Sequence, residues 1–327
     1  MSNYTELSIA KALNRGLSKA MEKDEKVVTF GEDIAELGGV FRVTEGLLDE
    51  FGSKRVFNTP IAESGIVGTA IGLAMRGYRS VVEIQFDGFV YPAFNQITSQ
   101  LAKFTYRSEG SLSMPVVVRI PYGGGIGAVE HHSESPEAYF AHTAGLRVVS
   151  PSNPNDAYWM MQQAVQSNDP VVFLEPKRRY WQKGAVNLDQ PPMPMHSARV
   201  LREGNQVTVI AYGPMVTTAM QAAEIAQEEG VSIEVVDLRS LSPIDMATVL
   251  DSVRSTNRVV VAAEAPTFVS VASELAASIT EQAFYHLEAP VIRVGSFDTP
   301  YPPAKLEDSY LPDADRILDA VDRVLAY

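Results

Sequence analysis

The sequence predicts a two-domain α/β protein with parallel sheets, and three observations support this prediction. The chain has 327 residues, which exceeds the usual size of a single domain. Short apolar runs alternate with helical patterns, and the runs are continuously apolar, as expected of strands that helices cover on both faces. A proline-rich segment at residues 190–194 interrupts this alternation, which then starts again.

The first half of the chain is predicted to begin with a helix and then to alternate. Thr5 is in position to cap a helix whose apolar residues recur at three-and-four spacing as far as Met21. Further helices are predicted at residues 44–51, where Gly52 ends the helix, and at 62–76, 91–106 and 155–166. Strands are predicted at residues 27–30, 80–86, 115–120, 146–149 and 171–174.

The second half repeats this logic in a smaller α/β unit. Strands are predicted at residues 206–211, 233–237, 258–262 and 291–294, with helices at 215–229 and 270–284. Proline continues neither a helix nor a central strand, so the prolines near residue 192 mark the boundary. We therefore predict a first domain at residues 1–185, a linker at 186–196 and a second domain at 197–327.

Composition excludes several kinds of site. The chain has no cysteine, which excludes disulfides, thiolate zinc sites, iron–sulfur clusters and cysteine nucleophiles. Residues 1–21 mix charges with apolar residues and do not resemble a signal peptide, and no apolar run is long enough to span a membrane, so we expect a cytoplasmic protein. The net charge of −13 disfavours nucleic acid and anionic membranes, and it either serves solubility or favours a basic partner.

A glycine loop follows the strand predicted at residues 115–120. Residues 123–128 fit the pattern G-x-G-x-x-A of a dinucleotide-binding turn. In such a turn a helix opens at once so that its amides meet the pyrophosphate, whereas here the chain reads as a loop as far as Pro136. No Lys-Ser/Thr pair follows, so the loop is not a P-loop. The residues favour a flexible or closely approached loop, with NAD binding as a distant alternative.

The adjacent pair His131 and His132 permits three interpretations. A metal site is disfavoured because adjacent residues rarely face one metal, and His142, His196 and His286 show no ligand spacing. An imidazole on a loop suits proton transfer near neutral pH. From the residues alone, an exposed or hydrogen-bonded structural histidine is the simpler interpretation.

Glu63 stands at the start of the helix predicted at residues 62–76. Its carboxylate suits the helix dipole, which is a purely structural interpretation. One side of the same helix is predicted to be nearly bare, since it carries Gly65, Gly68, Ala70, Gly72 and Ala74. Each glycine costs about 1 kcal/mol relative to alanine. Close packing against another helix or backbone is the usual compensation, so this helix predicts an interface with a carboxylate at its edge.

Five segments together resemble the β subunit of the E1 component of 2-oxo acid dehydrogenase complexes. They are T-P-I-A-E-S-G from Thr59, V-E-I-Q-F-D-G-F-V-Y-P-A-F-N-Q from Val82, H-S-E-S-P-E-A from His132, F-L-E-P-K-R from Phe173 and D-T-P-Y-P from Asp298. The similarity extends over essentially the whole chain, in order and at the right spacing. The stretches E-I-Q-F and F-L-E-P-K-R are more similar to branched-chain enzymes than to pyruvate enzymes.

The resemblance implies a transketolase-like pyrimidine-binding domain followed by a transketolase C-terminal domain. Such subunits form α2β2 heterotetramers with an E1 α subunit, and thiamine diphosphate binds between α and β. The diphosphate and its Mg2+ are held mainly by a G-D-G…N motif of the α chain. This sequence contains no G-D-G, which agrees with a subunit that is active only with its α partner.

The resemblance also implies roles for single residues. Glu63 matches the glutamate that hydrogen-bonds N1′ of the aminopyrimidine and exchanges a proton there. Phe89 matches the ring that stacks on the pyrimidine, where branched-chain enzymes usually carry Tyr and pyruvate enzymes Phe. Ile61 and Gln85 match positions that line the same pocket. His132 matches the histidine of reductive acylation, which protonates the dithiolane sulfur of lipoamide.

Two positions depart from the family pattern. Glu134 replaces a usual Gln, and its carboxylate either raises the pKa of the neighbouring histidine or orders the loop. Family members also bind K+ through main-chain carbonyls, and a serine stands where an aspartate is usual, so the sequence leaves this metal open. The matching carbonyls are near Val116, Ala164, Val165, Ser167 and Asp169.

The implied function is oxidative decarboxylation of a 2-oxo acid, with acyl transfer to the lipoyl group of the E2 acyltransferase. A branched-chain substrate, as in 3-methyl-2-oxobutanoate dehydrogenase, is favoured, and β subunits of pyruvate or acetoin dehydrogenase are the alternatives. The acidic surface or part of the second domain is a candidate dock for a basic segment of E2. An NAD oxidoreductase and a non-catalytic scaffold subunit represent other classes.

Overall fold

The computed structural model describes residues 4–189 and 193–327 and confirms the predicted α/β class. The strands of this part of the chain are β1 (Tyr4–Ser8), β2 (Val27–Gly31), β3 (Val56–Asn58), β4 (Arg79–Glu83), β5 (Val116–Tyr122), β6 (Arg147–Val149), β7 (Val171–Pro176), β8 (Lys183–Asn187), β9 (Arg199–Arg202), β10 (Val207–Ala211), β11 (Ile233–Asp237), β12 (Ser240–Ser242), β13 (Val259–Pro266) and β14 (Ile292–Ser296).

Helices connect most of these strands. They are α1 (Ile9–Lys23), α2 (Leu47–Phe51), α3 (Glu63–Met75), α4 (Phe104–Arg107), α5 (Glu137–Ala141), α6 (Pro154–Gln166), α7 (Met215–Glu228), α8 (Met246–Thr256), α9 (Val271–Ala283), α10 (Glu307–Tyr310) and α11 (Ala314–Leu325). Short 3-10 segments, called turns below, at Asp87–Ala93 and Glu130–His132 lie in the loops that carry the predicted site residues.

The strands form two large sheets and a small ribbon. The first sheet has the order β12-β6-β7-β5-β4-β2-β3, and the second has the order β14-β13-β10-β11-β9. Only the edge strands β12 and β9 run antiparallel to their neighbours in the described sheets, and β1 pairs with β8 in a separate antiparallel ribbon. Every residue of β2, β5 and β7 is buried, as expected of strands covered on both faces.

Alternate residues of the first sheet enter two different cores. Val27 and Val117 face the core that α1 and α6 cover, whereas Phe30 and Val118 face the core that α3 covers. The second of these cores continues into the second unit of the chain through β10, α8 and α9. The two units therefore share buried apolar surface, which holds the loops at the carboxyl ends of the first sheet against the second unit.

The predicted start of the first helix is wrong. Thr5 lies in β1 opposite Val186 of β8, and the helix begins after Ser8, whose hydroxyl accepts from the Lys11 amide at 3.3 Å. The strand partner of Thr5 is far away in the sequence, so local spacing cannot reveal it. Tertiary pairing here outweighs the local capping signal.

The helix predicted at residues 91–106 is also wrong as a single element. The chain instead makes a 3-10 turn at Asp87–Ala93, a π turn at Gln96–Gln100 and a 3-10 turn at Leu101–Lys103 before α4. Pro92 lies inside the first of these turns and has no N–H to donate, which disfavours a regular α-helix from this point.

The domain boundaries stay a prediction. Strand β8 runs to Asn187 and β9 begins at Arg199, and residues 190–192 of the predicted linker lie outside the described residues. Among the helices that the structure describes, none is both long and apolar enough to cross a membrane.

Candidate active site

The predicted site residues meet at one edge of the first sheet. Strands β5, β4 and β2 are parallel neighbours, so their carboxyl ends lie side by side. The turn Asp87–Ala93, shortly after β4, packs against helix α3 and also against the turn Glu130–His132. This arrangement brings the start of α3, the ring of Phe89 and the loop of His132 into one region.

Glu63 is the first residue of α3, and its side chain is 7% exposed. The amides of a first helical turn and the helix dipole favour a carboxylate at this position. Two residues earlier, the side chain of Ile61 is 84% exposed, and Gln85 is half-buried after β4. A buried carboxyl group thus follows, two residues later, an apolar side chain that this chain leaves exposed.

Glu32 is a second buried carboxyl in this region that sequence reasoning missed. It follows β2, and its Oε1 atom is buried without a hydrogen-bond partner in the described part of the chain. The pKa of Glu32 is raised to about 7, mainly by burial and then by the negative charges of Glu63, Asp33 and Glu83. The available signal was an acidic residue directly after a buried strand at the same sheet edge.

A buried ion-pair network joins strands β4, β5 and β7 at this edge of the sheet. Arg119 of β5 donates to Glu83 of β4 at 2.7 Å, and through Nε and Nη2 to Glu175 of β7 at 2.7 and 2.9 Å. Burial raises the pKa of Glu83, although the Arg119 charge acts in the opposite direction. The network ties the three strand ends together and fixes the residues that follow them.

Three rings surround the predicted acylation histidine. His132 stacks on Phe86, with ring centroids 4.1 Å apart, and meets Phe89 edge-on at 5.1 Å. His131 lies beside it at 4.4 Å. The Nδ1 atom of His132 is 2.9 Å from the carbonyl oxygen of His131, and a proton on Nδ1 leaves Nε2 free to exchange protons. Phe86 is the second contributor that the sequence analysis did not select.

The loop that carries His132 is hydrogen-bonded to the turn Asp87–Ala93. Asp87 accepts from the Glu134 amide at 2.8 Å and forms a buried ion pair with Lys177. Burial raises the pKa of Asp87 to about 6 and lowers the pKa of Lys177, while each charge opposes the shift of the other. A Cβ atom on Gly88 would lie only 2.2 Å from the His131 carbonyl oxygen, so this close contact requires glycine.

Glu134 connects the loop to Tyr91 through a hydrogen bond. Its Oε2 atom accepts from the Tyr91 hydroxyl at 2.8 Å. Of the two roles predicted for Glu134, this contact supports the ordering of the loop.

Across residues 4–189 and 193–327, no group of three or more His, Asp or Glu side chains is placed to hold a metal, so the described geometry gives the pair His131 and His132 no metal-binding partners.

The glycine loop does not open a helix. Beyond β5 it continues to the turn Glu130–His132, and its amides at Gly124 and Gly125 donate to Glu264 and Glu307. Carboxylates of the same chain thus take the donors that a pyrophosphate would need, which argues against NAD binding. The predicted close approach is correct.

The carbonyls matched to the family's K+ site fit that ion poorly in this chain. Arg79 donates through Nη1 to the carbonyl oxygens of Val165 at 3.1 Å and Ser167 at 2.9 Å. A guanidinium thus already supplies positive charge to two of these oxygens. A K+ ion would have to share them with Arg79.

One face of α3 is bare at Gly68 and Gly72, whereas Ala70 and Ala74, which were predicted on the same bare side, are buried in the core. Cβ atoms placed on Gly68 and Gly72 would meet nothing within 4 Å, and Ser64 and Thr69 on this helix are exposed. The described chain therefore gives no packing reason for these glycines. Together, an open helix face, a sheltered carboxyl group and aromatic rings suit a flat heterocycle with a ring nitrogen, held against a second surface.

Comparison with known proteins identifies both units of the chain. Residues 5–182 match the family model of the transketolase pyrimidine-binding domain, and residues 196–317 match that of the transketolase C-terminal domain. A solved structure titled "Split gene transketolase, inactive beta4 tetramer" superposes with a TM-score of 0.82 at 24% identity, covering 98% of each chain. This likeness supports the fold.

Closer relatives are named as subunits of dehydrogenase complexes. The pyruvate dehydrogenase E1 component subunit beta of Leifsonia xyli subsp. xyli is 65% identical, over 98% of this chain and 95% of the relative. The 3-methyl-2-oxobutanoate dehydrogenase subunit beta of Mycobacterium tuberculosis is 55% identical, over 98% of this chain and 92% of the relative.

Proposed function

This chain belongs to the E1 β subunits of the 2-oxo acid dehydrogenases, and we propose from this premise that the sheet edge around Glu63 binds the aminopyrimidine end of thiamine diphosphate. The single observation that supports this most strongly is a carboxyl group that is 7% exposed at the first residue of α3, beside the turn that carries Phe89. Bound thiamine diphosphate supplies the electron sink that lets a 2-oxo acid lose CO2.

Glu63 holds and exchanges a proton at N1′ of the aminopyrimidine. A sheltered carboxyl suits this role because water competes little for its hydrogen bond. The ring of Phe89 would stack on the pyrimidine, and Ile61 and Gln85 would line the same pocket. The exposed position of Ile61 is explained if the cofactor and a second chain cover it.

His132 donates the proton that reductive acylation requires. In reductive acylation the carbon left at the aldehyde level by loss of CO2 would be oxidised to the acyl level, and its two electrons would break the S–S bond of the lipoyl dithiolane of E2. One sulfur would take the acyl group, and the other sulfur would take up a proton from Nε2 of His132. The Nδ1 contact to the His131 carbonyl supports this assignment, because it reserves Nε2 for proton transfer.

E1 β subunits act with an α subunit, and the bare face of α3 supports an interface that this chain alone leaves open. In the proposed α2β2 assembly the α chain holds the diphosphate and its Mg2+. The lipoyl acyltransferase E2 is then the proposed second partner.

For the substrate we propose a branched-chain 2-oxo acid, on the strength of the stretches that contain Gln85 and Lys177. A specific observation favours pyruvate as the second candidate, since the relative of 65% identity carries that name and Phe89 matches the pyruvate type. Acetoin is the third.

The test is steady-state turnover of the chain co-expressed with its α subunit on 3-methyl-2-oxobutanoate, pyruvate and acetoin. We expect the branched-chain acid to have the highest kcat/KM, and Glu63→Gln to lower turnover of every substrate by at least about a hundredfold. Glu281→Gln, an exposed change in the second unit, is the matched control and should have no effect. Retained activity of Glu63→Gln would contradict the proposed role.

A further inference from the structure

The structure assigns a positioning function to two carboxylates of the second unit, Glu264 and Glu307. We infer that they hold the glycine loop through its backbone amides and thereby set the place of the His132 ring for acyl transfer. The inference rests on the role proposed for His132 and adds to it a contribution from the C-terminal part of the chain.

Glu307 is the more extensively bonded of the two. Its Oε1 accepts from the Gly125 amide at 2.9 Å and its Oε2 from the Gly127 amide at 2.9 Å. The Tyr301 hydroxyl also donates to Oε1, at 2.6 Å. The residue opens α10 and is 7% exposed. Charge-assisted bonds of this kind are about twice as strong as neutral ones.

Glu264 of β13 holds the preceding residue of the loop. Its Oε1 accepts from the Gly124 amide at 2.6 Å, and its Oε2 lies 2.9 Å from Nη2 of Arg178. The side chain is 3% exposed. Three amides of one short loop are therefore bound by two buried carboxylates that lie more than a hundred residues further along the chain.

The close contact between the loop backbone and the second unit explains why the loop is rich in glycine. Gly123, Gly125 and Gly127 have φ angles of +80°, +83° and +69°, a left-handed conformation that presents successive amides to an anion. A Cβ atom on Gly124 would lie 1.8 Å from the Tyr301 hydroxyl oxygen, and one on Gly123 would lie 2.6 Å from Glu264 Oε1. The loop backbone and the second unit are thus fitted to each other.

His132 lies only a few residues after the bonded glycines, so the position of the glycine loop affects the position of the His132 ring. The glycine loop is closed at its base by the Gly123 amide, which donates to the Glu134 carbonyl at 2.8 Å. On one flank Asp87 holds the Glu134 amide, and on the other flank Glu307 holds the amides of Gly125 and Gly127. His132 lies between these two anchors, so loss of either anchor displaces its ring.

Glu307→Gln is the informative substitution because it keeps the volume of the side chain. A glutamine has one acceptor oxygen and one NH2 group, and the NH2 group must then face one of the two loop amides, donor against donor. We expect the variant to fold with a misplaced loop, and the altered contacts are those of Glu307 to Gly125 and Gly127, which do not involve Glu63. Acyl transfer should fall while decarboxylation is preserved.

The experiment uses the assembled α2β2 enzyme and measures two rates. One is decarboxylation with a soluble dye as electron acceptor, and the other is acylation of a free lipoyl domain. We expect Glu307→Gln to lower kcat for lipoyl acylation by about tenfold or more, with an unchanged dye-coupled rate and an unchanged KM for the 2-oxo acid. Glu234→Gln, a buried carboxylate of the same unit that accepts from Thr208, is the matched control and should alter neither rate.

Two kinetic outcomes and one hydrogen-exchange outcome would overturn the inference. Either normal lipoyl acylation by Glu307→Gln, or an equal fall of both rates together with a lower Tm, would show that the carboxylate is structural only. Amide hydrogen exchange gives an independent measure, since we expect faster exchange at residues 124–134 of the variant, and unchanged protection there contradicts the inference. His132→Ala separates the two proposals: if it acylates normally, the role of His132 fails, whereas if it alone loses acylation, only the role of Glu307 fails.

Discussion

The imidazole of His132 lies flat on the ring of Phe86, with ring centroids 4.1 Å apart and ring planes 12° from parallel. Phe89 meets the same imidazole edge-on, and the Nδ1 contact to the His131 carbonyl restricts its rotation. A proton-transfer group gains rate from such preorganisation, because a small displacement of the reacting atom is costly. The two phenylalanines thus connect the proposed pyrimidine pocket with the proposed acylation residue.

Phe86→Leu should weaken acyl transfer selectively. Leucine keeps the site apolar but removes a ring contact worth about 0.5–1.5 kcal/mol, so we expect lipoyl acylation to fall by about two- to tenfold. The assay is single-turnover acylation of a lipoyl domain by the assembled enzyme. The control is Phe284→Leu, an exposed ring of the second unit. Equal rates for Phe86→Leu and the parent would show that the stacking has no role.

Asp87→Asn should destabilise the chain strongly. The change leaves Lys177 buried without its counter-charge, and breaking a buried ion pair in this way typically costs about 3–5 kcal/mol. Urea unfolding of the isolated chain measures the loss. Glu45→Gln, which breaks the exposed pair with Lys11, should leave the midpoint almost unchanged. Similar midpoints for the two variants would contradict the structural importance of the Asp87 pair.

Glu137 should make stability depend on pH. Burial raises its pKa from 4.5 to about 7, although the Tyr212 hydroxyl donates to it at 2.8 Å. The folded chain therefore binds more protons than the unfolded chain between these two values. Its contribution is fully present below about pH 4.5 and is lost as the pH rises to about 7.

Glu137→Gln removes this titration. We expect the free energy of unfolding of the variant, relative to the parent, to rise between pH 5 and pH 8 by up to about 3 kcal/mol. Urea titrations at a series of pH values measure the difference, which cancels the other titrating groups. A difference that is constant with pH, or that falls, would contradict the raised pKa of Glu137.

Gly68→Leu should separate folding from assembly. No atom lies within 4 Å of a Cβ at this position, and leucine favours the helix by about 1 kcal/mol over glycine, so the isolated chain should keep or raise its Tm. The added side chain fills the space that the proposed interface needs. Mass measurement after co-expression with the α subunit should then show loss of the α2β2 species. Normal assembly with normal activity would place the interface elsewhere.

Much of the fold could be predicted from local patterns, and the exceptions have physical causes. The strand at Val27 and the helix after Ser270 follow directly from apolar runs and capping residues. The pairing of Thr5 with Val186 could not be predicted, because a residue's strand partner is not encoded in its neighbours. The irregular turns around Pro92 likewise depend on packing against α3 as well as on the proline.

In the candidate site, too, some residues could be predicted from the sequence and others could not. Glu63, Phe89 and His132 were found through motifs, and the fold brings them to one sheet edge. Glu32 was missed because a single acidic residue after a strand is a weak signal until Glu63 is seen beside it. The glycine loop was correctly expected to be closely approached, but Glu307 lies 180 residues from Gly127, and only the folded chain shows that the two are bonded.

A structure of the assembled enzyme with thiamine diphosphate bound tests the central claim most directly. The distance that matters joins the carboxyl oxygens of Glu63 to N1′ of the aminopyrimidine. We expect a hydrogen bond of about 2.6–3.2 Å, with the ring of Phe89 stacked on the pyrimidine and the diphosphate held by the α chain. A pyrimidine bound elsewhere, with Glu63 out of hydrogen-bond range of N1′, would contradict the account.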